Sequence, residues 1–138
     1  MPDRYAIAAA TFYEELARKL IDGARAVFEE AGHEVDVVEV PGAFELPMAA
    51  KICAQTGNYK GVACVGAVIR GETTHYDYVC NEAARGIQNV QLETGVPCGF
   101  GVLTVENYDQ ALARVGDKRH QGADAARAVL ALAALVET

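Results

Sequence analysis

The chain has 138 residues, of which 51% are hydrophobic and 22% are charged, and its formal charge at pH 7 is −7. This length fits one domain, residues 1–138, that buries enough surface for a core without disulfides. The acidic charge argues against a nucleic-acid-binding protein, which needs a clustered basic surface, and the apolar content excludes an intrinsically disordered chain.

The first third of the chain predicts a strand, a helix and a second strand. The apolar run at residues 5–10 is typical of a buried strand, and an amphipathic stripe follows it until Gly32, which favours a helix end. Thr11 and Glu14 have the spacing of a capping box, so we expect the helix to begin at Thr11. Residues 34–40 alternate around valines, which is the pattern of a strand, and a Pro-Gly pair follows them.

The remainder predicts two more helix–strand pairs and two closing helices. Residues 43–55 predict a helix, and the nearly continuous apolar run at residues 61–69 predicts a strand buried on both faces. Residues 76–94 predict a long helix with Leu92 among its inward positions, and residues 97–104 predict a fourth strand. The two closing helices are predicted at residues 106–115 and 122–136.

This order of elements predicts an α/β fold with a parallel sheet, right-handed crossovers and helices on both faces. In such sheets, ligands bind beyond the carboxyl ends of the strands. The segments that fall there are residues 11–14, 41–45, 69–76 and 104–107. Functional residues are therefore expected in these four segments.

The cysteine spacing and the lack of an apolar segment of membrane length favour the cytoplasm. None of the four cysteines forms a Cys-x-x-Cys pair, so zinc or dithiol chemistry is unsupported, and buried thiols are expected rather than disulfides. No segment approaches the about 20 apolar residues of a membrane span. The start of the sequence also lacks the pattern of a secretion signal. We expect a cytoplasmic protein without contact to a membrane.

The segment from Gly66 to His75, GAVIRGETTH, joins the buried third strand to the long helix. Amides at a helix N-terminus attract an anion, and the hydroxyls of Thr73 and Thr74 add donors. Histidine, with an ordinary pKa of about 6.5, suits proton transfer near neutrality. A polar helix cap with a surface histidine is an equally good interpretation. A nucleotide P-loop is excluded because its glycine and lysine motif is missing.

Two further segments have a structural and a functional interpretation. Glu45 falls in the first helical turn after Pro41-Gly42, where a carboxylate favours the helix dipole or accepts hydrogen bonds from a polyol. For this segment alone the structural interpretation is preferred. Phe12 follows the first strand, where an aromatic ring can stack on a planar heterocycle, although stapling of a helix start is more usual.

Together these segments resemble the 6,7-dimethyl-8-ribityllumazine synthase family, which catalyses the penultimate step of riboflavin biosynthesis. The shared motifs are VPGAFELP at residues 40–47, GAVIRGETTHYDYVCNEAARGI at residues 66–87 and ETGVPCGFGVLT at residues 93–104. The resemblance implies a flavodoxin-like three-layer α/β/α sandwich with a four-stranded parallel sheet. It also implies condensation of 5-amino-6-(D-ribitylamino)uracil with 3,4-dihydroxy-2-butanone 4-phosphate to the lumazine, phosphate and water, without a cofactor or metal.

The resemblance assigns roles to residues and implies an assembly. His75 is expected to transfer protons. The residues expected to bind the pyrimidinedione and the ribityl chain are Phe12, Ala43, Phe44, Glu45, Val68, Ile69 and Phe100. The residues expected to bind the phosphate side are Glu72, Thr73, Thr74 and Arg114. Phe100 and Arg114 match positions that the adjacent subunit contributes, so a homo-oligomer with shared sites is expected.

The chain departs from the family pattern at two places. Thr11-Phe12-Tyr13 stands where the family commonly has Arg-Phe-Asn. Gln121 stands where a phosphate-binding lysine is usual, and its connector lacks the frequent Gly-Asn-Lys-Gly sequence. Either Lys118 or Arg119 replaces that lysine, or Arg114 acts alone and the other two are solvated charges. Because this connector helps pentamers meet in shell-forming members, we expect a pentamer or decamer rather than a sixty-subunit shell.

Three other functions compete with the enzyme. A non-catalytic flavin- or lumazine-binding paralogue would keep the stacking residues but lose His75 or the phosphate donors, which are present. A phosphoacceptor signalling domain would need acidic residues where this chain has Thr11 and Arg70. The polar loops argue against a purely structural shell protein.

Overall fold

A computed structural model describes residues 2–138 and contains four strands and five α-helices. The strands are β1 (Arg4–Ala10), β2 (Glu34–Val40), β3 (Val62–Ile69) and β4 (Cys98–Val105). The helices are α1 (Glu14–Glu30), α2 (Leu46–Gln55), α3 (His75–Thr94), α4 (Tyr108–Ala113) and α5 (Gln121–Val136). A 3₁₀ turn at Ala43–Glu45 precedes α2. The predicted alternation of strands and helices is confirmed.

The four strands form one parallel sheet in the order β2-β1-β3-β4. The chain goes from β1 outward to β2 on one side and then returns to place β3 on the other side of β1. The strand order therefore reverses between β1 and β3. In sheets of this type the crevice at such a switch point, beyond the carboxyl ends of the strands, is the usual ligand site.

Helices cover both faces of the sheet. On one face, Ile7 of β1 packs in a core cluster with Leu20 of α1 and Val129 of α5. On the other face, Ala8 of β1 packs with residues of α2 and α3, including Ile87. Successive strand residues point to opposite faces, so β1 is buried from both sides. The flavodoxin-like three-layer α/β/α fold is confirmed.

The predicted capping box at the start of α1 is wrong. The helix begins at Glu14, and the residue at its N-cap, Tyr13, makes no side-chain capping bond. Thr11 instead continues the line of β1: its amide donates to the Val40 carbonyl at 3.0 Å, and its hydroxyl lies 3.4 Å from the same oxygen. The neighbouring strand therefore takes the polar groups that a capping box would have used.

The inward position predicted for Leu92 is also wrong, because its side chain is 71% exposed. Ile87 and Val90 are the buried residues of that part of α3. Leu92 comes two residues after Val90, which is about half a helical turn and points its side chain to the opposite side. The helix itself ends at Thr94, as predicted, with Gly95 in the left-handed conformation.

All four cysteines are free thiols, as expected from their spacing. Cys53, Cys64 and Cys98 are buried, whereas Cys80 is half-buried. Among the helices of residues 2–138, none combines the length and the apolar character that crossing a membrane requires.

Candidate active site

A cavity of about 570 Å³ opens at the switch point, beyond the carboxyl ends of β1 and β3. The predicted site residues that line it are Phe12, Ala43, Phe44, Glu45, Val68, Ile69, Thr73 and His75. The lining residues that the sequence did not single out as site residues are Tyr13, Gly42, Ala67, Gly71, Tyr76 and Val79. Three motifs that are far apart in the sequence therefore share one cavity.

The turn before α2 forms one side of the cavity. The Gly42 amide donates to Oε1 of Glu45 at 3.0 Å, and the Glu45 amide donates back to the Gly42 carbonyl at 3.1 Å. Within this turn, Ala43 is buried, whereas Phe44 is 56% exposed. The other carboxylate oxygen of Glu45 makes no hydrogen bond within residues 2–138 and is available to a ligand. The structural and the functional interpretation of Glu45 are thus compatible.

The end of β3 forms the back of the cavity and exposes part of its backbone. The pairing of β3 with β1 ends at Ala9↔Val65, whereas its pairing with β4 continues to Ile69↔Val105. Past Gly66, the edge of β3 that faces β1 therefore has no strand partner. Gly66 allows the ends of β1 and β3 to lie this close together, because a Cβ at position 66 would be only 2.8 Å from the Cβ of Ala10. Backbone groups of successive strand residues alternate between the two edges, and the Arg70 amide donates to the Val105 carbonyl of β4. The amide and carbonyl of Val68 therefore point to β4 as well, whereas those of Ile69 point to the unpaired edge, where they can bind a planar heterocycle.

The start of α3 forms the third side. His75 is the first residue of the helix, and its amide donates to the Thr73 hydroxyl at 3.3 Å. Thr74 occupies the N-cap position without a side-chain capping bond. Glu72 and Thr74 belong to the same loop but do not line the cavity. The His75 side chain is exposed and borders the cavity, where it can exchange a proton with a ligand.

Tyr13 and Tyr76 are the aromatic residues that the sequence analysis missed. Tyr13 packs edge-to-face on Phe12, with ring centroids 5.0 Å apart, and so supports a ring that is itself 74% exposed. Burial raises the pKa of Tyr76, and Cys80 adds to that rise, so the phenol stays neutral near pH 7. Their positions beside Phe12 and His75 were the only sequence signal that could have indicated them.

Phe100 and Arg114 do not line the cavity. They lie together elsewhere on the chain, joined by Gln121. The Gln121 amide donates to the Arg114 carbonyl at 2.8 Å, and its side-chain nitrogen lies 3.5 Å from the Phe100 carbonyl. Lys118 and Arg119 are exposed, and neither forms an ion pair with another of residues 2–138.

The described residues contain no cluster of three or more His, Cys, Asp or Glu side chains that could hold a metal ion.

Comparison with known proteins agrees with this geometry. The family model described as 6,7-dimethyl-8-ribityllumazine synthase matches residues 3–137. The chain belongs to this family.

Two relatives that are named 6,7-dimethyl-8-ribityllumazine synthase match nearly the whole chain. The protein of Salinibacter ruber is 44% identical over 137 residues, which cover 96% of this chain and 88% of the relative. The protein of Thermococcus gammatolerans is 48% identical over 134 residues, which cover 96% and 87%. Membership in this family makes the chain an enzyme, a transferase of riboflavin biosynthesis, and the resemblance seen in the motifs is confirmed.

Proposed function

We propose that the cavity at the switch point is the active site, where 5-amino-6-(D-ribitylamino)uracil and 3,4-dihydroxy-2-butanone 4-phosphate condense to 6,7-dimethyl-8-ribityllumazine, phosphate and water. The observation that carries this assignment is the meeting of an exposed aromatic ring, an unpaired strand edge and a histidine-bearing helix start in one cavity. These three parts offer a stacking surface, backbone hydrogen bonds and a proton-transfer group, which are what a planar heterocycle undergoing condensation requires.

The pyrimidinedione and its ribityl chain fit the first two parts of the cavity. The exposed ring of Phe12 stacks on the heterocycle, and the free backbone groups of Ile69 bind its polar edge. Val68, which also lines the cavity, contacts the ring. The free carboxylate oxygen of Glu45 accepts hydrogen bonds from the ribityl hydroxyls. Ala43 and Phe44 contact the carbon chain.

The phosphate-bearing substrate lies at the start of α3. The Thr73 hydroxyl, which lines the cavity, and the positive end of the helix dipole attract its phosphate. Thr74 and Glu72 lie in the same loop outside the cavity lining and are assigned to the phosphate side by the family motif. The protein has a formal charge of −7, so this local positive potential has to offset a general repulsion of anions. Arg114 does not line the cavity of its own chain, and it matches a family position that the adjacent subunit contributes, so we assign it to supply a full positive charge to the neighbour's cavity.

The reaction needs positioning more than chemical activation. An amine of the uracil attacks the ketone carbon, and a first water leaves as the imine forms. Elimination of phosphate leaves an enol that tautomerises to a new carbonyl. The second amine attacks this carbonyl, and a second water leaves as the ring closes. Holding the two substrates together contributes up to about 7–11 kcal/mol. His75 passes protons between the amine, the departing oxygen and solvent. No step requires a nucleophilic side chain.

The exposed apolar surfaces support an assembly with shared sites. Phe44, Met48 and Ile52 follow one another at four-residue spacing and are all more than half exposed. They form an apolar stripe beside the cavity, while Phe100 is exposed on a different surface. Two different surfaces that meet head to tail close into a ring when the rotation fits. We infer a cytoplasmic homopentamer or decamer in which Phe100 and Arg114 complete the neighbour's cavity.

Product formation tests the assignment directly. Purified protein mixed with both substrates should raise lumazine fluorescence well above the uncatalysed rate. Binding of a ribityl-pyrimidinedione analogue without faster product formation would instead support the non-catalytic paralogue. Sedimentation of the same sample should give a mass of five or ten chains, and a particle near sixty chains would contradict the inferred assembly.

A further inference from the structure

Arg70 lies where β3 passes into the loop of residues 70–74, which we call the cavity loop because it leads to the start of α3 beside the cavity. None of the roles proposed above uses Arg70. Its amide donates to the Val105 carbonyl at 2.9 Å, which extends the β3–β4 pairing by one residue. Its guanidinium makes two ion pairs, from Nε to Oε2 of Glu106 at 2.6 Å and from Nη2 to Oδ1 of Asp77 at 3.5 Å. One side chain thus joins the segment after β4 to the first turn of α3.

The same guanidinium also contacts the wall of the cavity. Its central carbon lies 4.4 Å from the ring centroid of Tyr76, a distance at which a cation is attracted to an aromatic face. Tyr76 lines the cavity next to His75. We call Arg70 with Glu106, Asp77 and Tyr76 the Arg70 cluster.

The loop that the cluster encloses has little else to order it. Every residue from Arg70 to His75 is exposed, so no side chain of the loop is anchored in the core. The hydrogen bond from the His75 amide to Thr73 is local to the loop. The ion pair between Arg70 and Asp77 joins the two ends of this segment, which reduces the conformations that the loop can adopt before a substrate binds.

We propose that Arg70 is a positioning residue, which holds the start of α3 against the end of β4 and thereby keeps Thr73 and His75 in their binding arrangement before the substrates arrive. This inference rests on the active site proposed above. An exposed ion pair contributes little to the stability of a fold. The cluster should therefore affect substrate binding rather than unfolding, because a loop that is ordered only part of the time lowers the apparent affinity by that fraction.

The chain offers a matched control at the amino ends of the strands, opposite the end of the sheet where the cavity opens. Arg4 also pairs with two carboxylates, those of Glu34 and Asp36. The Arg4 and Arg70 side chains are 41% and 42% exposed, so they are almost equally accessible to solvent. Arg4→Gln removes the same kind of interaction at the amino ends of the strands, far from the cavity loop.

Steady-state kinetics of the assembled protein provide the first test. Arg70→Gln should raise the KM for the phosphate-bearing substrate by about tenfold, with about 100-fold as the upper limit, and leave kcat nearly unchanged. Arg70→Lys, which keeps the charge without the planar fork, should fall between the wild type and Arg70→Gln. Glu106→Gln should shift KM in the same direction, and combining it with Arg70→Gln should add nothing further. Arg4→Gln should keep the wild-type KM.

Two kinetic outcomes would overturn the proposal. One is a KM of Arg70→Gln equal to that of Arg4→Gln. The other is a fall in kcat without a rise in KM, which would show that Arg70 acts on the chemical step rather than on the arrangement of the loop.

Amide hydrogen exchange provides a second test that does not depend on turnover. Peptides covering residues 70–78 should exchange faster in Arg70→Gln and Glu106→Gln than in the wild type and Arg4→Gln. Equal exchange in all four proteins would overturn the proposal. If the wild-type protein formed no lumazine, the proposed active site would fail, and these exchange rates would still decide whether the Arg70 cluster orders the loop.

Discussion

At the scale of single residues, the polar side chains of the cavity are held by short local hydrogen bonds and not by burial. The Glu45 carboxylate is fixed by the Gly42 amide three residues before it, and the Thr73 hydroxyl is fixed by the His75 amide two residues after it. Phe12 and His75 are exposed. Substitutions at these positions should therefore change the rate of reaction much more than the stability of the fold.

His75→Ala is expected to slow turnover without abolishing it. A positioned proton-transfer group typically contributes about 10²–10⁴-fold, whereas the larger contribution comes from holding both substrates together. The measurement is kcat from lumazine fluorescence, with a thermal melt as the check on folding. Loss of all detectable product in a folded, assembled His75→Ala protein would contradict the larger contribution assigned to substrate positioning. An unchanged kcat would contradict the proton-transfer role of His75.

At the scale of elements, glycines allow the helical layer of α1 and α5 to pack closely. Gly122 lies in the first turn of α5, and a Cβ at this position would overlap the Leu20 carbonyl oxygen of α1. Gly99 of β4 is similar, because a Cβ there would overlap the Ala125 carbonyl oxygen of α5. In both places the obstacle is backbone, which cannot rotate away as a side chain can.

Gly122→Ala should therefore destabilise the protein by about 1–3 kcal/mol, the usual cost of overpacking. Gly116→Ala is the matched control, because the nearest atom to its added Cβ would be 4.0 Å away. Urea unfolding at one protomer concentration measures both variants. Equal midpoints for Gly122→Ala and Gly116→Ala would show that α1 and α5 can separate at no cost.

The face of the sheet beneath α2 and α3 contains thiols that make stability depend on pH. Burial raises the pKa of the Cys98 thiol to about 12 from an ordinary value near 9. The thiol also donates a hydrogen bond to the Val96 carbonyl at 3.4 Å, which requires its proton. Burial raises the pKa of Cys64 as well.

The free energy of unfolding should fall as the pH rises above about 9, because the unfolded chain then loses the Cys98 proton and the folded chain keeps it. This thiol contributes a slope of up to about 1.4 kcal/mol per pH unit between the two pKa values, and below about pH 9 its contribution is fully present. Urea unfolding from about pH 8 to about pH 10.5, at fixed protomer concentration, measures the slope. Cys98→Ala should make the slope shallower, with the remaining slope coming from Cys64, and an unchanged slope in that variant would refute this account.

At the scale of the whole molecule, one chain presents two different apolar surfaces to solvent. The stripe of Phe44, Met48 and Ile52 borders the cavity, and Phe100 lies on another surface with Gln121 and Arg114 nearby. Large exposed apolar groups beside an open cavity are typical of a surface that another chain covers. The proposed oligomer explains both surfaces and completes the phosphate site.

Met48→Glu should lower the mass of the assembly and, with it, the activity. Met48 is 63% exposed on α2, and a carboxylate there would have to lose its hydration when a neighbour covers the stripe. Sedimentation gives the mass, and circular dichroism should show that each chain remains folded. Ala26→Glu, on the exposed side of α1, is the control and should keep the wild-type mass. An unchanged mass for Met48→Glu would place the interface elsewhere.

The sequence by itself determined the order of the elements, the layered α/β class and the family. Hydrophobic periodicity indicates the order of the elements and the fold class, because apolar residues recur at different spacings in a buried strand such as β3 and in an amphipathic helix such as α1. The motifs that contain Glu45 and His75 identify the family. Each of these is a property of neighbouring residues, and a short window of sequence suffices for it.

Only the tertiary structure decided what those residues meet. Strand register leaves the backbone groups of Ile69 in β3 unpaired, and it gives the polar groups of Thr11 to the Val40 carbonyl instead of to α1. The same packing brings Phe12 to the cavity and leaves Phe100 outside it. Register and the distance between elements depend on contacts between residues far apart in the sequence, which no local pattern contains.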